Sequence, residues 1–365
     1  MTYAAITGWG KCLPPAVVTN DDLATFLDTS DEWITTRTGM KERRISHVTP
    51  SELGYVASER AIAAAGLDAS EIDLIIMATC TPDTGLPNCA SYIQKKLGAV
   101  NAGSMDLNSA CTGFMYSLST ATSMIKTGVI RKAIVVGADV MSQSVPWMDR
   151  SISVLFGDGA AAWVLEATEE KQGILSQRMG CMADDRDILA IAYGFTAPGD
   201  PRKDLCEWNF QGQDIFKRAV NAMAEASEEA IEMAGISKSD IDLCVPHQAN
   251  KRIIDAVAKK AGIPTEKCYV NVHRYANVSA ATIPVAMTEA LEEHRVEPYD
   301  TILMPAFGGG LTWSSHVVKW GQRTTPLGHS DVELPPCDKT GLELIQMLMD
   351  GRAEKYGHSS AKISS

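Results

Sequence analysis

One cysteine of this chain occupies a position where a thiol acts as a nucleophile. Cys111 follows the strand-like segment SMDLNSA. The segment directly after Cys111, TGFMYSLSTATSMIKTG, has helical periodicity. This order places the sulfur at a helix amino terminus, where the helix dipole and free N–H groups favour a thiolate. We therefore predict that Cys111 accepts an acyl group from a thioester, with a buried structural cysteine as the alternative.

Two further side chains have the types that would complete a thioester site. His247 ends the apolar strand IDLCVP, and strand ends are where α/β folds expose reactive groups. Asn277 lies in the segment NVSAATIPVAM, which is similar to the segment around Cys111. Because the three residues occupy equivalent strand or helix ends, we expect them to meet in one site.

A run of glycines supplies the remaining part of the predicted site. Phe307-Gly308-Gly309-Gly310 follows the predicted strand TILMPA. Glycine lets a backbone N–H approach an acyl oxygen closely, so we predict an oxyanion hole from the N–H groups of Gly309 and Cys111. A tight turn is the alternative. The run FGDGA at 156–160 has no lysine after it, so we interpret it as a turn and packing feature rather than a phosphate site.

An internal repeat indicates how the fold brings these residues together. SERAIAAAGLDASEIDL matches SEEAIEMAGISKSDIDL, and NSACTGFMYSL matches NVSAATIPVAM, both at an offset of 169 residues. Each copy alternates helices with short strands, which is typical of α/β layers with buried strands. We predict two pseudo-equivalent halves, roughly 1–170 and 171–320. The remaining residues, 321–365, depart from the repeat and contain one predicted helix from about Gly341 to Lys355.

Composition and charge argue against several classes of protein. Hydrophobic residues make up 45% and charged residues 21%, as in ordinary globular proteins. The net charge of −12 speaks against broad nucleic-acid binding, which needs a basic surface. We see no secretory signal and no apolar run long enough to span a membrane. The nine cysteines are an odd number without CxxC spacing, which favours reduced thiols in the cytoplasm and no metal site.

Several motifs in combination resemble β-ketoacyl-acyl-carrier-protein synthase III, an enzyme of the thiolase-fold superfamily. The resemblance extends from about Tyr3 to Lys319 and implies a five-layered αβαβα fold from two duplicated halves, in a homodimer. The motifs are TSDEWITTRTGMKERRI (29–45), DLNSACTGFMYSL (106–118), DRSISVLFGDGAA (149–161), VPHQANKRI (245–253), NVSAATIPVAM (277–287) and AFGGGLTWSS (306–315).

The resemblance implies a decarboxylative Claisen condensation in fatty-acid biosynthesis. Cys111 would take the acyl group from an acyl-coenzyme A (acyl-CoA). His247 and Asn277 would bind the carbonyl of malonyl-acyl-carrier protein and stabilise the enolate-like species left by decarboxylation. The product would be a β-ketoacyl thioester, and no cofactor is implied because CoA enters as a substrate.

The resemblance also implies contacts for the substrates. Trp33 and Arg150 would enclose the adenine of CoA, and Arg37 would contact its phosphates. The implied CoA-binding residues are Thr29, Trp33, Arg37, Arg150, Gln213 and Asn250. Those implied for the acyl pocket are Leu86 and Phe307. A basic patch for the acidic carrier protein would consist of Lys217, Lys251 and Arg252.

Some positions depart from the family pattern. Gln213 replaces an expected asparagine, and Ala276 and Val278 flank Asn277 where glycine and threonine are more usual. Leu86 lies in the stretch that would cross the dimer interface and floor the partner's acyl pocket. It is smaller than the aromatic residue that would restrict the pocket, so we predict that medium-length acyl chains are accepted.

Other functions stay open at this point. One alternative is an acyltransferase or ketide-forming enzyme of secondary metabolism, which would use acyl-Cys111 with a different acceptor. Another is an inactive paralogue that only binds acyl-CoA or carrier protein. The His247–Asn277 pair favours condensation, because simple acyl transfer needs no decarboxylation site. A degradative thiolase would need a second catalytic cysteine, and the second glycine segment contains none.

Overall fold

Two central β-sheets with a shared strand order organise the chain, whose computed structural model describes residues 1–192 and 207–356. The strands are β1 (Tyr3–Cys12), β2 (Ala16–Thr19), β3 (Glu42–Ile45), β4 (Leu74–Ala78), β5 (Gly103–Leu107), β6 (Lys132–Val140), β7 (Asp158–Thr168), β8 (Gly173–Cys181), β9 (Leu189–Ala192), β10 (Glu207–Phe210), β11 (Leu243–Cys244), β12 (Thr301–Gly308) and β13 (Thr312–Lys319). The helices are α1 (Asn20–Ala24), α2 (Asp31–Thr38), α3 (Pro50–Ala65), α4 (Cys89–Leu97), α5 (Gly113–Lys126), α6 (Arg150–Ser153), α7 (Gly212–Ala234), α8 (Lys251–Ala261), α9 (Val272–Tyr275), α10 (Thr282–Glu292) and α11 (Gly341–Tyr356).

The two sheets repeat one topology. The first has the order β1-β7-β6-β4-β5, and the second has the order β8-β13-β12-β11. Equivalent strands also pair in the same direction: β4 runs parallel to β6 in the first sheet, and β11 runs parallel to β12 in the second. Cys268 forms a parallel bridge with Cys244 at the position that β5 occupies in the first sheet. The duplication predicted from the repeat is therefore confirmed at the level of strand order.

Five layers result from the way helices cover these sheets. Phe114 and Leu118 of α5 and Ile283 and Met287 of α10 are buried in one apolar cluster between the sheets. Helices α3 and α4 pack on the outer face of the first sheet, and α7 and α8 lie on the outer side of the second. The order is helix, sheet, helix, sheet, helix, so the predicted αβαβα fold is confirmed.

Backbone details also recur at the 169-residue offset. Helices α3 and α7 both end at a left-handed glycine, Gly66 and Gly235, each with φ 70°. Ala110 and Ser279 have φ 46° and 52°, which is uncommon for residues with a Cβ. Both lie directly before a central helix. The repeat therefore preserves the strained turns that lead into α5 and α10. The boundaries near residues 170 and 320 remain predictions.

The C-terminal extension packs along the first half of the chain. Leu327 N–H donates to the Ala64 carbonyl at 3.0 Å, and Arg60 forms an ion pair with Glu333. Helix α11 agrees with the predicted helix to within one residue at each end. Its Leu344 and Ile345 are buried in the cluster that also contains Ile34 of α2. Residues 357–365 of this extension lie outside the described residues.

Two general features concern the described residues only. No helix among them is long and apolar enough to cross a membrane. No disulfide joins two cysteines of the described residues, and Cys206 lies outside them. Asp158 of the FGDGA run is buried and accepts hydrogen bonds from the N–H groups of Ser46 and Ser142, at 2.7 and 2.9 Å, which agrees with a packing role.

Candidate active site

Connections from both sheets meet at one cavity of about 1230 Å³. Cys111, His247 and Asn277 all line it, and so does Gly309. The structure thus brings together the three side chains and the glycine that the sequence analysis singled out. Its lining combines apolar side chains with polar ones, as is typical of a small-molecule site.

Cys111 lies in a 3-10 segment, Ala110–Thr112, that continues directly into α5. Its thiol is therefore at the amino end of that helix, as predicted. The Ser279 hydroxyl donates to Cys111 Sγ at 3.6 Å. Burial raises the pKa of the Cys111 thiol to about 12, although the Ser279 hydrogen bond lowers it. A resting thiolate, which the helix position alone suggests, is therefore not favoured in this cavity.

The glycine run approaches the backbone of the nucleophile. A Cβ on Gly308 would lie 2.8 Å from the backbone nitrogen of Cys111 and 3.1 Å from that of Thr112. Such contacts are too short for a side chain, so only glycine lets β12 end this close to Cys111. A Cβ on Gly309 would meet its neighbours at ordinary distances of 3.4 Å or more. Close approach therefore depends on Gly308, while Gly309 keeps its predicted role as an N–H donor.

His247 is held from two sides. Its backbone N–H donates to the Pro305 carbonyl of β12 at 2.9 Å, which continues the pairing of β11 with β12. Its ring Nδ1 lies 2.5 Å from Oγ1 of Thr282, the first residue of α10. His247 is 2% exposed, and burial lowers the pKa of its imidazole to about 3. The ring is therefore neutral at physiological pH.

Asn277 is fixed through its backbone and its amide oxygen. The Asn277 N–H donates to the Leu155 carbonyl at 2.9 Å, and the Asn277 carbonyl accepts from Gly157 at 3.1 Å. Its Oδ1 accepts from the Ser279 N–H at 2.8 Å, an Asx turn that leads into α10. With Oδ1 engaged, the Nδ2 amide is the group that can donate to a ligand. Ala276 before it has φ 54° and ψ −153°, a conformation that favours glycine.

Asp139 connects the loops of the site and was missed by sequence reasoning. This buried carboxylate at the end of β6 accepts from the Thr79 hydroxyl at 2.9 Å and the Cys80 N–H at 2.8 Å. Its other oxygen accepts from the Ala280 N–H at 3.2 Å. Because the donors come from distant segments, only the position of an acidic residue at the end of an apolar strand could have indicated this role. Ser279 and Thr282 were likewise missed.

Of the predicted CoA-binding residues on and near α2, Trp33 and Arg37 line the cavity, whereas Thr29 and Arg150 do not. The Arg37 guanidinium lies 4.4 Å from the Trp33 ring centroid. Arg150 lies 5.2 Å from the same ring and forms an ion pair with Asp28 at 3.2 Å. The aromatic ring thus already attracts two cations, a favourable arrangement for a phosphate-bearing aromatic ligand. Thr29 Oγ1 is buried without a hydrogen-bond partner among the described residues.

The two other predicted CoA contacts, Asn250 and Gln213, lie at the amino ends of α8 and α7. Asn250 caps α8 by accepting from the Arg252 N–H at 2.8 Å, and its amide donates to the Arg37 carbonyl at 3.2 Å. It lines the cavity. Gln213 is exposed in the first turn of α7, next to the lining residue Gly212. The structure therefore shows Asn250 holding α8 against α2, and it does not bring Gln213 into the cavity wall.

The apolar part of the cavity is formed largely by residues that sequence reasoning missed. Phe307 is buried and lines the cavity as predicted. Leu86 is 89% exposed and is not among the lining residues. The wall instead includes the antiparallel strands β9 and β10. The ring of Trp208 in β10 packs against Phe156, with 5.0 Å between the ring centroids. Trp208 Nε1 also donates to the Ser144 carbonyl at 2.6 Å. Two short strands of four residues gave too little periodicity to predict.

The predicted basic patch is only partly available for a partner. Lys217 and Arg252 are exposed, and Arg252 also lines the cavity. Lys251 forms an ion pair with Asp255 at 2.7 Å, one helical turn further along α8. Its charge is therefore partly compensated within the chain.

The site occurs in a chain with extensive similarity to known proteins. Family models described as 3-oxoacyl-acyl-carrier-protein (ACP) synthase III match residues 105–183, and the C-terminal part of the same family matches residues 231–320. The chain is 51% identical to beta-ketoacyl-acyl-carrier-protein synthase III 2 of Vibrio cholerae, over 95% of this chain and 97% of that protein.

Two further relatives lack a counterpart for part of the chain. The beta-ketoacyl-acyl-carrier-protein synthase III of Roseiflexus sp. is 47% identical over 87% of this chain and 98% of its own length. The crystal structure of 3-oxoacyl-acyl-carrier-protein synthase III from Aquifex aeolicus superposes with a TM-score of 0.82 at 43% identity. It covers 87% of this chain and 100% of its own. The longer Vibrio relative therefore matches more of this chain than these two do.

Proposed function

The chain belongs to the β-ketoacyl-acyl-carrier-protein synthase III family, and we propose on this basis that its cavity condenses an acyl-CoA with malonyl-acyl-carrier protein. It is a transferase of the condensing type, acting in fatty-acid biosynthesis. The observation that carries the proposal is the convergence of Cys111, His247 and Asn277 on one cavity. These are the types needed for an acyl-enzyme intermediate and for stabilising a thioester enolate.

The first half-reaction acylates Cys111. Its Sγ forms a bond to the acyl carbonyl while the bond from that carbonyl to the CoA sulfur breaks. CoA leaves as a thiol and carries the proton that Cys111 loses, so the step needs no separate acid or base in net terms. The N–H groups of Cys111 and Gly309 bind the oxyanion as it forms. The high pKa of the thiol is compatible with this route, because the proton leaves only when the acyl group arrives.

The second half-reaction uses His247 and Asn277. We assign His247 the tautomer with its proton on Nε2, in which the Thr282 hydroxyl, 2.5 Å from Nδ1, donates to that nitrogen. This N–H and the Asn277 amide donate to the malonyl thioester carbonyl. Carbon dioxide leaves as its C–C bond breaks, and the enolate carbon attacks the acyl-Cys111 carbonyl. The Cys111 sulfur then departs as a thiolate and takes up one proton from the solvent, which restores the thiol. The imidazole acts as a neutral donor, since burial keeps its pKa at about 3.

Acyl-CoA binds from the side of α2. Trp33 with Arg150 holds the adenine, and Arg37 contacts the phosphates. Asn250 contributes along the pantetheine arm, whereas Thr29 and Gln213 lie outside the cavity wall and are not part of this proposal. The apolar wall formed by Phe307 and the strands β9 and β10 supports acyl chains of medium length.

Partners and conditions follow from the same proposal. The exposure of Leu86 supports a homodimer in which this residue reaches the partner's acyl pocket. Lys217, Arg252 and, less strongly, Lys251 receive the acidic carrier protein. The reaction requires no cofactor beyond its CoA thioester, and we place the enzyme in the cytoplasm, where thiols stay reduced.

A product assay tests the proposed function. Wild-type protein is incubated with malonyl-acyl-carrier protein and acyl-CoA thioesters from acetyl to decanoyl, and carbon dioxide and acyl-carrier-protein products are measured. We expect a β-ketoacyl product with medium chains, and none from Cys111→Ala. A product formed by acyl transfer without release of carbon dioxide would contradict condensation. Activity with acetyl-CoA alone would contradict the chain-length proposal, and equal use of malonyl-CoA would contradict the carrier-protein donor.

A further inference from the structure

We propose that Glu289 is a positioning residue, a buried carboxylate that holds the backbone segments of both His247 and Asn277 in register. This inference rests on the proposed function of these two residues in decarboxylation. Glu289 belongs to α10 and is 3% exposed. It lies outside the residues that line the cavity, so it acts on the reaction only through other groups.

Four donors from two segments, β1 and the residues in and just before α9, converge on this carboxylate. The Tyr275 hydroxyl donates to Oε1 at 2.5 Å, and Asn271 Nδ2 donates to Oε2 at 2.8 Å. Lys11 and Arg274 contribute charge at 3.3 and 3.4 Å from Oε1. Burial alone would raise the pKa of the Glu289 carboxyl, but these cations and hydrogen bonds lower it overall. The group is therefore an ionised acceptor at neutral pH.

One connection leads to His247. Asn271, whose side chain donates to Glu289, also donates its backbone N–H to Gln248 Oε1 at 3.0 Å. Gln248 is 1% exposed, and its amide donates to the Pro246 carbonyl at 2.8 Å and the Tyr269 carbonyl at 3.1 Å. The residues on both sides of His247 are thus fixed by a buried amide that Asn271 orients.

The other connection leads to Asn277. Tyr275 and Asn277 are separated by Ala276, whose φ of 54° and ψ of −153° are costly for a residue with a Cβ. A strained residue keeps its conformation only where the surrounding structure holds it. The hydrogen bond from the Tyr275 hydroxyl to Glu289 fixes the residue before Ala276. The backbone hydrogen bonds of Asn277 with Leu155 and Gly157 fix the residue after it. Loss of the Glu289 acceptor would let this corner relax and move the Asn277 amide.

The placement predicts an asymmetric effect on the two half-reactions. Gly308 lies against the Cys111 backbone, and Asp139 holds the loops around it; neither residue contacts Glu289 in the described structure. Ser279 bonds both Asn277 Oδ1 and Cys111 Sγ, so only a small effect on acylation is expected through it. Changing Glu289 should therefore impair decarboxylation while leaving acylation of Cys111 nearly intact. A defect in overall folding would instead lower both activities together.

The test measures each half-reaction separately in Glu289→Gln, which replaces one acceptor oxygen by a donor at the same size. We expect acyl-CoA loading of Cys111 within about twofold of wild type, and malonyl-acyl-carrier-protein decarboxylation reduced by about 10- to 100-fold. Tyr275→Phe should show a smaller loss in the same direction. The control is Glu292→Gln. Glu292 is an exposed residue of α10 that also pairs with Lys11, and its substitution should leave both steps unchanged.

Three results would overturn the inference. These are wild-type decarboxylation in Glu289→Gln, a parallel fall in both half-reactions, or an equal loss in Glu292→Gln. If Glu289→Gln does not fold, Tyr275→Phe alone decides by the same comparison of half-reactions. Failure of the wild-type protein to decarboxylate malonyl-acyl-carrier protein would instead contradict the proposed function itself, which keeps the two failures distinguishable.

Discussion

Removal of the Thr282 hydroxyl should separate the two half-reactions through one hydrogen bond. Thr282 Oγ1 lies 2.5 Å from His247 Nδ1, and both residues are 2% exposed, so water cannot replace the lost partner. A buried polar atom left without a partner costs about 1–3 kcal/mol. The imidazole can avoid this cost by rotating or by moving its proton to Nδ1, and either change withdraws the Nε2–H donor. We therefore expect Thr282→Ala to slow decarboxylation by about 10- to 100-fold.

The assay follows carbon dioxide release from malonyl-acyl-carrier protein and, separately, acylation of Cys111 by intact-protein mass spectrometry. Thr282→Ser keeps the hydroxyl and should recover most of the decarboxylation rate. Thr288→Ala is the matched control, because Thr288 is also buried on α10 but donates to the Pro284 carbonyl of its own helix at 2.8 Å. Wild-type decarboxylation in Thr282→Ala, or an equal loss in Thr288→Ala, would refute the proposed role of this hydrogen bond.

Three other predictions concern the nucleophile, the acyl pocket and stability. Gly308→Ala places a methyl 2.8 Å from the Cys111 backbone nitrogen and should slow acylation at least about tenfold in a mass-spectrometric time course; an unchanged rate would contradict the close approach. Leu86→Phe should shift the preferred acyl-CoA to shorter chains in the product assay, and an unchanged chain-length profile would contradict its place in the partner's pocket. Burial lowers the pKa of both His247 and His316 from 6.5 to about 3, so the unfolded chain binds protons first as the pH falls below 6.5. The two histidines together lower the unfolding free energy by about 2.5 kcal/mol between pH 7 and 5.5, while Asp158, whose pKa burial raises to about 6, offsets about 0.8 kcal/mol of this. Urea titration should therefore show a decrease of about 1.5–2 kcal/mol, which becomes about 1.2 kcal/mol smaller in His316→Gln; an equal decrease in both proteins would show that His316 is not buried as a neutral group.

Local sequence patterns were sufficient to predict the elements that carry the nucleophile. Cys111 was placed at a helix start because a strand-like segment and a helical periodicity meet there, and the structure has this arrangement. The observed ends of α3 and α7 at Gly66 and Gly235 also have a local signal, since glycine is the usual residue where a helix ends in a left-handed conformation. The repeat extended these signals to the whole fold, since two copies with one strand order must place equivalent connections on one side of both sheets.

Contacts between distant segments could not be predicted in this way. Asp139 accepts from residues about 60 and 141 positions away, and Glu289 joins segments that only the folded chain brings together. A buried carboxylate and an exposed one look alike in a sequence, because the difference lies in the donors that surround them. The pKa of Cys111 shows the same limit, since burial opposes the helix effect that the local pattern indicates. The role of Leu86 depends on a second copy of the chain.

Loading and chasing the nucleophile tests the central claim most directly. Protein is incubated with octanoyl-CoA, freed of excess thioester, and analysed by intact-protein mass spectrometry before and after addition of malonyl-acyl-carrier protein, with Cys111→Ala in parallel. We predict one octanoyl adduct on the wild-type protein and none on the variant. The adduct should disappear on addition of the malonyl thioester as β-ketodecanoyl-acyl-carrier protein and carbon dioxide form. An octanoyl adduct on Cys111→Ala would contradict condensation through acyl-Cys111. So would a wild-type adduct that remains after the malonyl thioester is added.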